Sequence, residues 1–217
     1  MKRYKAVIFD WDGTVMDSTS SIVGAIQSAC VDLELPVPSV EDASWVIGLS
    51  LDRALQRCAP ALGAERIPEF IERYRHHFFL YDQELALFEG IVPLLDDLKG
   101  REIRLGVATG KTRIGLDRVL QSKQLEGHFD CTRCADESEG KPHPAMLFDI
   151  MERLALDPHD VLMVGDTTHD IQMAASAGVD SMAVTYGAHS KRTLLMSEPT
   201  TLVSSVREMR DWIANRV

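Results

Sequence analysis

The chain has 217 residues, 45% of them hydrophobic, and a formal net charge of −10 at pH 7. That length suits one α/β domain, or one domain carrying an inserted module, with apolar residues enough for a sizeable core. The acidic balance argues against nucleic acid, whose backbone demands concentrated Lys and Arg, and no apolar run approaches the roughly 20 residues that span a bilayer.

The basic start, Met1 to Lys5, leads straight into Ala6-Val7-Ile8-Phe9. Four apolar residues are too few for a signal-peptide core, so this segment reads as a strand and the protein as cytoplasmic, with no membrane partner. The four cysteines, Cys30, Cys58, Cys131 and Cys134, are too sparse for a disulfide framework and read as free thiols.

The run Lys5–Asp10 is apolar throughout and ends in acid, which predicts a parallel strand covered on both faces. From about Asp17 to Leu87 the pattern is helical. Residues 18–35 carry Ile22, Val23, Ile26, Ala29, Cys30 and Leu33 at helical spacing, and Pro36 and Pro38 end the run. Further helices are predicted over 39–45, with a capping Ser39, over 51–58, and over 66–81. Beyond Phe88, strands and helices alternate. Strands are expected at 103–108, 129–132, 161–164 and 181–184, and helices at 112–123, 144–154, 169–177 and 204–215. Such alternation gives a mostly parallel sheet with helices on its faces. The first strand pairs with strands that follow the helical zone. The expected organisation is therefore an α/β core from residues 1–16 and 88–217, with residues 17–87 inserted as a helical domain. Phe88-Glu89-Gly90 is the expected hinge on the return side.

Ligands of open parallel sheets bind beyond the carboxyl ends of the strands. There the sequence places Asp10-Trp11-Asp12-Gly13-Thr14, Thr109-Gly110-Lys111 and Gly165-Asp166-Thr167-Thr168-His169-Asp170, with Lys141 just before a helix. Clustered carboxylates repel one another and call for a cation. Phosphoryl transfer uses this inventory: a positioned nucleophile, charge neutralisation on the phosphoryl oxygens, and a proton for the leaving group. Asp10 is the candidate nucleophile, and Asp12 the candidate general acid and then base. Thr109, Gly110 and Lys141 are candidates for the phosphoryl oxygens. Asp10, Asp166 and Asp170, with the backbone carbonyl of Asp12, are candidate ligands for Mg²⁺, which prefers oxygen donors.

These segments resemble, in order, the four motifs of the haloacid dehalogenase superfamily: D-W-D-G-T at 10–14, Thr109 in A-T-G-K, Lys141 in G-K-P-H-P, and G-D-T-T-H-D at 165–170. The helical insertion resembles the small cap of the phosphoglycolate-phosphatase-like branch. The resemblance implies a Rossmann-like three-layer α/β fold and a Mg²⁺-dependent phosphatase that passes through a phospho-aspartyl intermediate. It also implies a small phosphorylated metabolite as substrate. An Asp at position 12 favours phosphate esters over dehalogenase or phosphonatase chemistry. A phosphomutase of the beta-phosphoglucomutase type, or a binding module without turnover, remains an alternative.

Several residues have plainer readings beside the functional ones. Asp170 is also suited to capping a helix. Gly48 and Arg53 lie in Ile47–Arg53, which is either a substrate-facing loop or a helix–helix turn. Lys111 reads either as a phosphate sensor or, the favoured reading, as surface charge, Trp11 as packing against the inserted helices, and His169 as helix-start packing or a neighbour of the site. Cys131 and Cys134 form only half of a zinc pattern.

Overall fold

The computed structural model describes residues 4–82 and 85–217. The basic start at 1–3 and positions 83–84 near the end of the insertion lie outside them, as do the side chains of Leu51, Asp52, Tyr81 and Asp82. The core is a six-stranded sheet of β1 (Ala6–Phe9), β2 (Arg104–Ala108), β3 (Cys131–Arg133), β4 (Val161–Gly165), β5 (Asp180–Val184) and β6 (Thr201–Val203). Its order is β3-β2-β1-β4-β5-β6, and every pairing is parallel. β1 therefore sits in the middle, between strands that follow the helical zone.

The alternation of β1 side chains builds three layers. Val7 and Phe9 join a cluster with α5 (Ile91–Gly100), α6 (Arg113–Ser122) and α10 (Val206–Ala214). Ala6 and Ile8 face the other side, against α7 (Ala145–Leu154) and α8 (Thr168–Ser176). A strand apolar on both faces is what this double coverage requires. A short helix, α9 (Lys191–Leu195), joins β5 to β6.

Between β1 and α5 the chain forms α1 (Thr19–Asp32), α2 (Val40–Trp45), α3 (Leu51–Cys58) and α4 (Ile67–Asp82). α1 packs mainly on α4 and also touches α2. The Ser39 hydroxyl accepts from the Asp42 N–H at 3.0 Å and so caps α2, as its sequence predicts. The chain leaves and re-enters the core on adjacent paths. The Asp17 N–H donates to the Ala86 carbonyl at 3.0 Å, and the Phe88 N–H donates to the Val15 carbonyl at 3.1 Å.

The predicted elements lie within a few residues of the observed ones, but three were not expected: α5, α9 and β6. α5 holds Pro93 in its first turn, a position Pro tolerates because that N–H has no helical partner. α9 spans five residues and β6 three, too short to show a period.

Candidate active site

Sheet register brings the motif ends together. Phe9 pairs with Val107 on one side and with Val164 on the other. Asp10, Thr109 and Asp166 therefore follow at one edge. The Asp10 N–H donates to the Val164 carbonyl at 2.8 Å, and the Thr109 N–H to the Arg133 carbonyl at 3.0 Å.

Three buried acids meet there. One carboxylate oxygen from each of Asp10, Asp166 and Asp170 lies within 4.8 Å of the others. Lys141 is fully buried among them. Its Nζ donates to Asp10 Oδ1 and lies 2.7 Å from Asp170 Oδ1. One lysine does not balance three carboxylates. Burial pushes the Asp10 carboxyl up to about 7 against the pull of Lys141, and Asp170 and Asp12 push the same way. Asp166 is raised well above the usual range by burial and by its two acidic neighbours. Burial alone would lower the Lys141 ammonium, but Asp10 and Asp170 outweigh it and raise it.

The acids are held in place. Asp166 Oδ1 accepts from Thr14 Oγ1 at 3.1 Å, and Oδ2 accepts from the Ala188 N–H at 2.6 Å. Two glycines leave room for it: a Cβ on Gly13 or Gly187 would stand 2.1 or 2.2 Å from Asp166 Oδ2. Asp170 Oδ2 accepts from the N–H of Thr167 at 3.0 Å and from its hydroxyl at 2.7 Å. Asp170 thus closes the capping box of α8 while Oδ1 faces Lys141, so the plain and the functional readings are both realised. Asp10 Oδ2 is buried and has no hydrogen-bond partner among the described residues. An orphaned carboxylate oxygen beside two further buried acids fits a hard divalent cation such as Mg²⁺.

Asp12 stands apart from this cluster. Its Oδ1 accepts from Ser18 Oγ at 2.6 Å and lies 3.0 Å from Lys111 Nζ. This corrects the reading of Lys111 as surface charge: its side chain is only 13% exposed and is the cationic partner of Asp12. Ser18 was not anticipated as a site residue, although it follows the first motif by a few positions. Thr109 is buried, and its hydroxyl accepts from the Lys111 N–H at 3.2 Å.

The inserted segment reaches this edge at several points. Gly48 has φ +87°, which favours glycine. A Cβ on Gly110 would lie 2.7 Å from the Gly48 carbonyl oxygen and 2.8 Å from that of Leu49. The Gly48–Leu49 backbone is thus pressed against the Thr109-Gly110 turn. Exposed Arg53 donates through Nη1 to the Lys141 carbonyl at 3.3 Å. The Trp45 carbonyl accepts from two imidazoles, His169 Nε2 at 2.8 Å and His189 Nε2 at 3.1 Å. His189 Nδ1 accepts from the Thr168 N–H at 3.0 Å, which fixes its tautomer. Burial pulls the His169 imidazole down to about 4 and lowers His189 as well. His169 is therefore a neutral link from α8 to α2, and His189, in the turn after β5, is a link the sequence did not announce.

Trp11 is buried in the cluster that also holds Ile22, Ile26 and Phe78, and its ring meets Phe129 edge-on with centroids 6.1 Å apart. Cys131 and Cys134 are buried free thiols. The neighbouring imidazoles are committed elsewhere: His128 lies 3.1 Å from Asp96 Oδ1 and His143 2.8 Å from Glu139 Oε2. Among the described residues, no helix is long and apolar enough to cross a membrane.

The family model for haloacid dehalogenase-like hydrolases matches residues 7–184, from β1 through β5. The chain belongs to this family. The chain is 36% identical to "Probable phosphatase IndB" of Dickeya dadantii over 208 residues, covering 94% of this chain and 90% of that protein. It is 29% identical to "Phosphoglycolate phosphatase" of Salmonella typhi, covering 96% and 92% of the two. A crystal structure described as a predicted phosphatase from Clostridium acetobutylicum superposes with a TM-score of 0.86 at 26% identity, over 99% of this chain and all of the other.

Proposed function

We propose that this haloacid dehalogenase-like hydrolase is a Mg²⁺-dependent phosphatase for a small phosphorylated metabolite, working through a phospho-aspartyl intermediate on Asp10. The observation that carries the reading is the unpartnered Asp10 Oδ2, buried beside Asp166, Asp170 and Lys141. The named relatives, one of them a phosphoglycolate phosphatase, support a phosphomonoester of that general kind.

In the first step Asp10 attacks phosphorus and Asp12 gives a proton to the departing alcohol oxygen. In the second, Asp12 takes a proton from water as that water hydrolyses the phospho-aspartate. Ser18 and Lys111 hold the Asp12 carboxylate for both steps. Thr109 and Gly110 border the phosphoryl oxygens, and Lys141 offsets their charge. Asp10, Asp166, Asp170 and the Asp12 carbonyl would hold Mg²⁺, which neutralises phosphoryl charge when bound.

Residues 17–87 act in this reading as a cap domain over a core formed by 1–16 and 88–217. The segments 15–17 and 86–88, joined by backbone hydrogen bonds, form with Gly90 at φ +87° the hinge in this reading. Gly48 and Arg53 face the substrate side of that cap.

The test is phosphate release from a panel of small phosphoesters, with and without Mg²⁺, by the native protein and Asp10→Asn. Mg²⁺-dependent release that vanishes in the variant is expected. Sugar-phosphate isomerisation without free phosphate would assign a mutase instead. No turnover by a folded, Mg²⁺-binding protein would leave a binding module.

A further inference from the structure

A cavity of about 390 Å³ lies between the inserted helices and the start of α6. Asp12 lines it. Its walls are mostly hydrocarbon: Ile22 and Ile26 of α1, Leu55 of α3, and Phe70, Ile71 and Phe78 of α4. The Tyr74 and Phe78 rings stack, with centroids 6.0 Å apart and planes inclined by 21°. Lys111 Nζ lies 3.0 Å from Asp12 Oδ1 and 5.2 Å from the Phe78 ring centroid, so it stands where the catalytic acid and the apolar chamber meet. Arg75 and Arg118 also line the cavity, and the Arg118 guanidinium sits 4.3 Å from the Phe79 ring centroid. Lys111 and Arg118 thus each lie against an aromatic ring.

We propose that this chamber holds the leaving group of the substrate, and that the leaving group has an apolar, ring-sized body in place of the two-carbon acid of phosphoglycolate. The inference rests on the phosphatase reading above, because Asp12 is then the residue that protonates the leaving oxygen. Whatever that oxygen carries extends from Asp12 away from phosphorus, and the space beyond Asp12 is this cavity. Its volume lies in the range of small-molecule sites. A glycolate group would fill a small part of it. Its carboxylate would find Lys111 beside Asp12, but it would leave the isoleucine, leucine and phenylalanine walls beyond uncovered. A flat or branched hydrocarbon gains in proportion to the area it buries there.

The test compares alkyl phosphates of similar leaving-group acidity, ethyl phosphate and 2-phenylethyl phosphate, with 2-phosphoglycolate. Turnover is measured with the native protein and Mg²⁺. Binding is measured separately, by calorimetry on Asp10→Asn with Mg²⁺. The phenylethyl ester is expected to exceed both others by roughly 100-fold in kcat/KM and in affinity. Ile71→Glu places a charge in the chamber wall, and the phenylethyl-to-ethyl ratio is expected to fall toward one in both measurements. Turnover that is equal for the three esters, or highest for phosphoglycolate, overturns the inference and leaves the phosphatase intact. Preferential binding of the phenylethyl ester, abolished in Ile71→Glu, with no turnover of any ester, supports the chamber and sinks the phosphatase. A phenylethyl preference that survives Ile71→Glu in a folded variant also overturns the inference, since the ring would then bind elsewhere.

Discussion

Replacing Lys141 by methionine tests the electrostatic balance of the site. The side chain is fully buried, its Nζ contacts Asp10, and it lies 2.7 Å from Asp170 Oδ1. Methionine keeps much of the shape and removes the charge. Removing one partner of a buried ion pair destabilises by about 3–5 kcal/mol, because the remaining charge is left uncompensated. The acids have one escape: one of them binds a proton. The native Asp10 is already raised to about 7, so above that pH it is ionised while the variant's cluster holds one proton more. The variant's folded state then binds more protons than its unfolded state, and its stability rises as pH falls. As pH falls toward 7 the gap between native and variant narrows, by at most about 1.4 kcal/mol per pH unit. Below about 7 the native Asp10 also takes up a proton and the narrowing stops. Urea unfolding in EDTA, followed at several pH values, reads this directly. A loss below about 1 kcal/mol, or a gap that is constant between pH 9 and 7, would show that Lys141 does not balance the buried acids.

Gly110→Ala puts a Cβ 2.7 Å from the Gly48 carbonyl oxygen. The Gly48–Leu49 backbone must shift, so kcat/KM is expected to drop about 100-fold and the melting temperature to fall; native-like turnover would show that this contact does not matter to the site. Lys111→Met removes the cation beside Asp12, while Asp166→Asn alters one of the three clustered acids. The first is expected to lower kcat with Mg²⁺ affinity retained, and the second to weaken Mg²⁺ binding, which titration calorimetry separates. His169 is held near 4 against an ordinary 6.5, so the folded protein resists a proton that the unfolded chain accepts. Stability is whole above 6.5 and is lost as pH falls from 6.5 toward 4, by roughly 3 kcal/mol at most from this residue. His169→Gln, which retains a donor for the Trp45 carbonyl, is expected to flatten that slope in metal-free protein; an unchanged slope would assign it to other groups.

Much of the fold was legible because it is written locally. A parallel strand buried on both faces is an unbroken apolar run, as at Val7, Phe9, Leu162 and Val164. The site was legible for a related reason. Acids, glycines and a threonine at strand ends are forced to one edge by the register, wherever the partner strands fall in sequence. Lys111 was misread because its partner is chosen across space: nothing local to Thr109-Gly110-Lys111 says that Asp12 faces it at 3.0 Å. The Trp45 carbonyl, with its two imidazoles, is hidden likewise, since backbone acceptors carry no sequence signature. The chamber was invisible for a different reason. Ile22, Ile26, Phe70 and Phe78 follow helical spacing, and that spacing is the same whether side chains fill a core or line a space.

In the proposed mechanism Asp10 becomes covalently phosphorylated. Acid-quenching the native protein during turnover with Mg²⁺ and a reactive phosphomonoester, then mapping peptides by mass spectrometry, tests it most directly. A phosphoryl adduct is expected on the peptide containing Asp10, absent without Mg²⁺ and absent in Asp10→Asn. Steady phosphate release with no adduct, together with an Asp10→Asn variant that keeps native turnover, would contradict it.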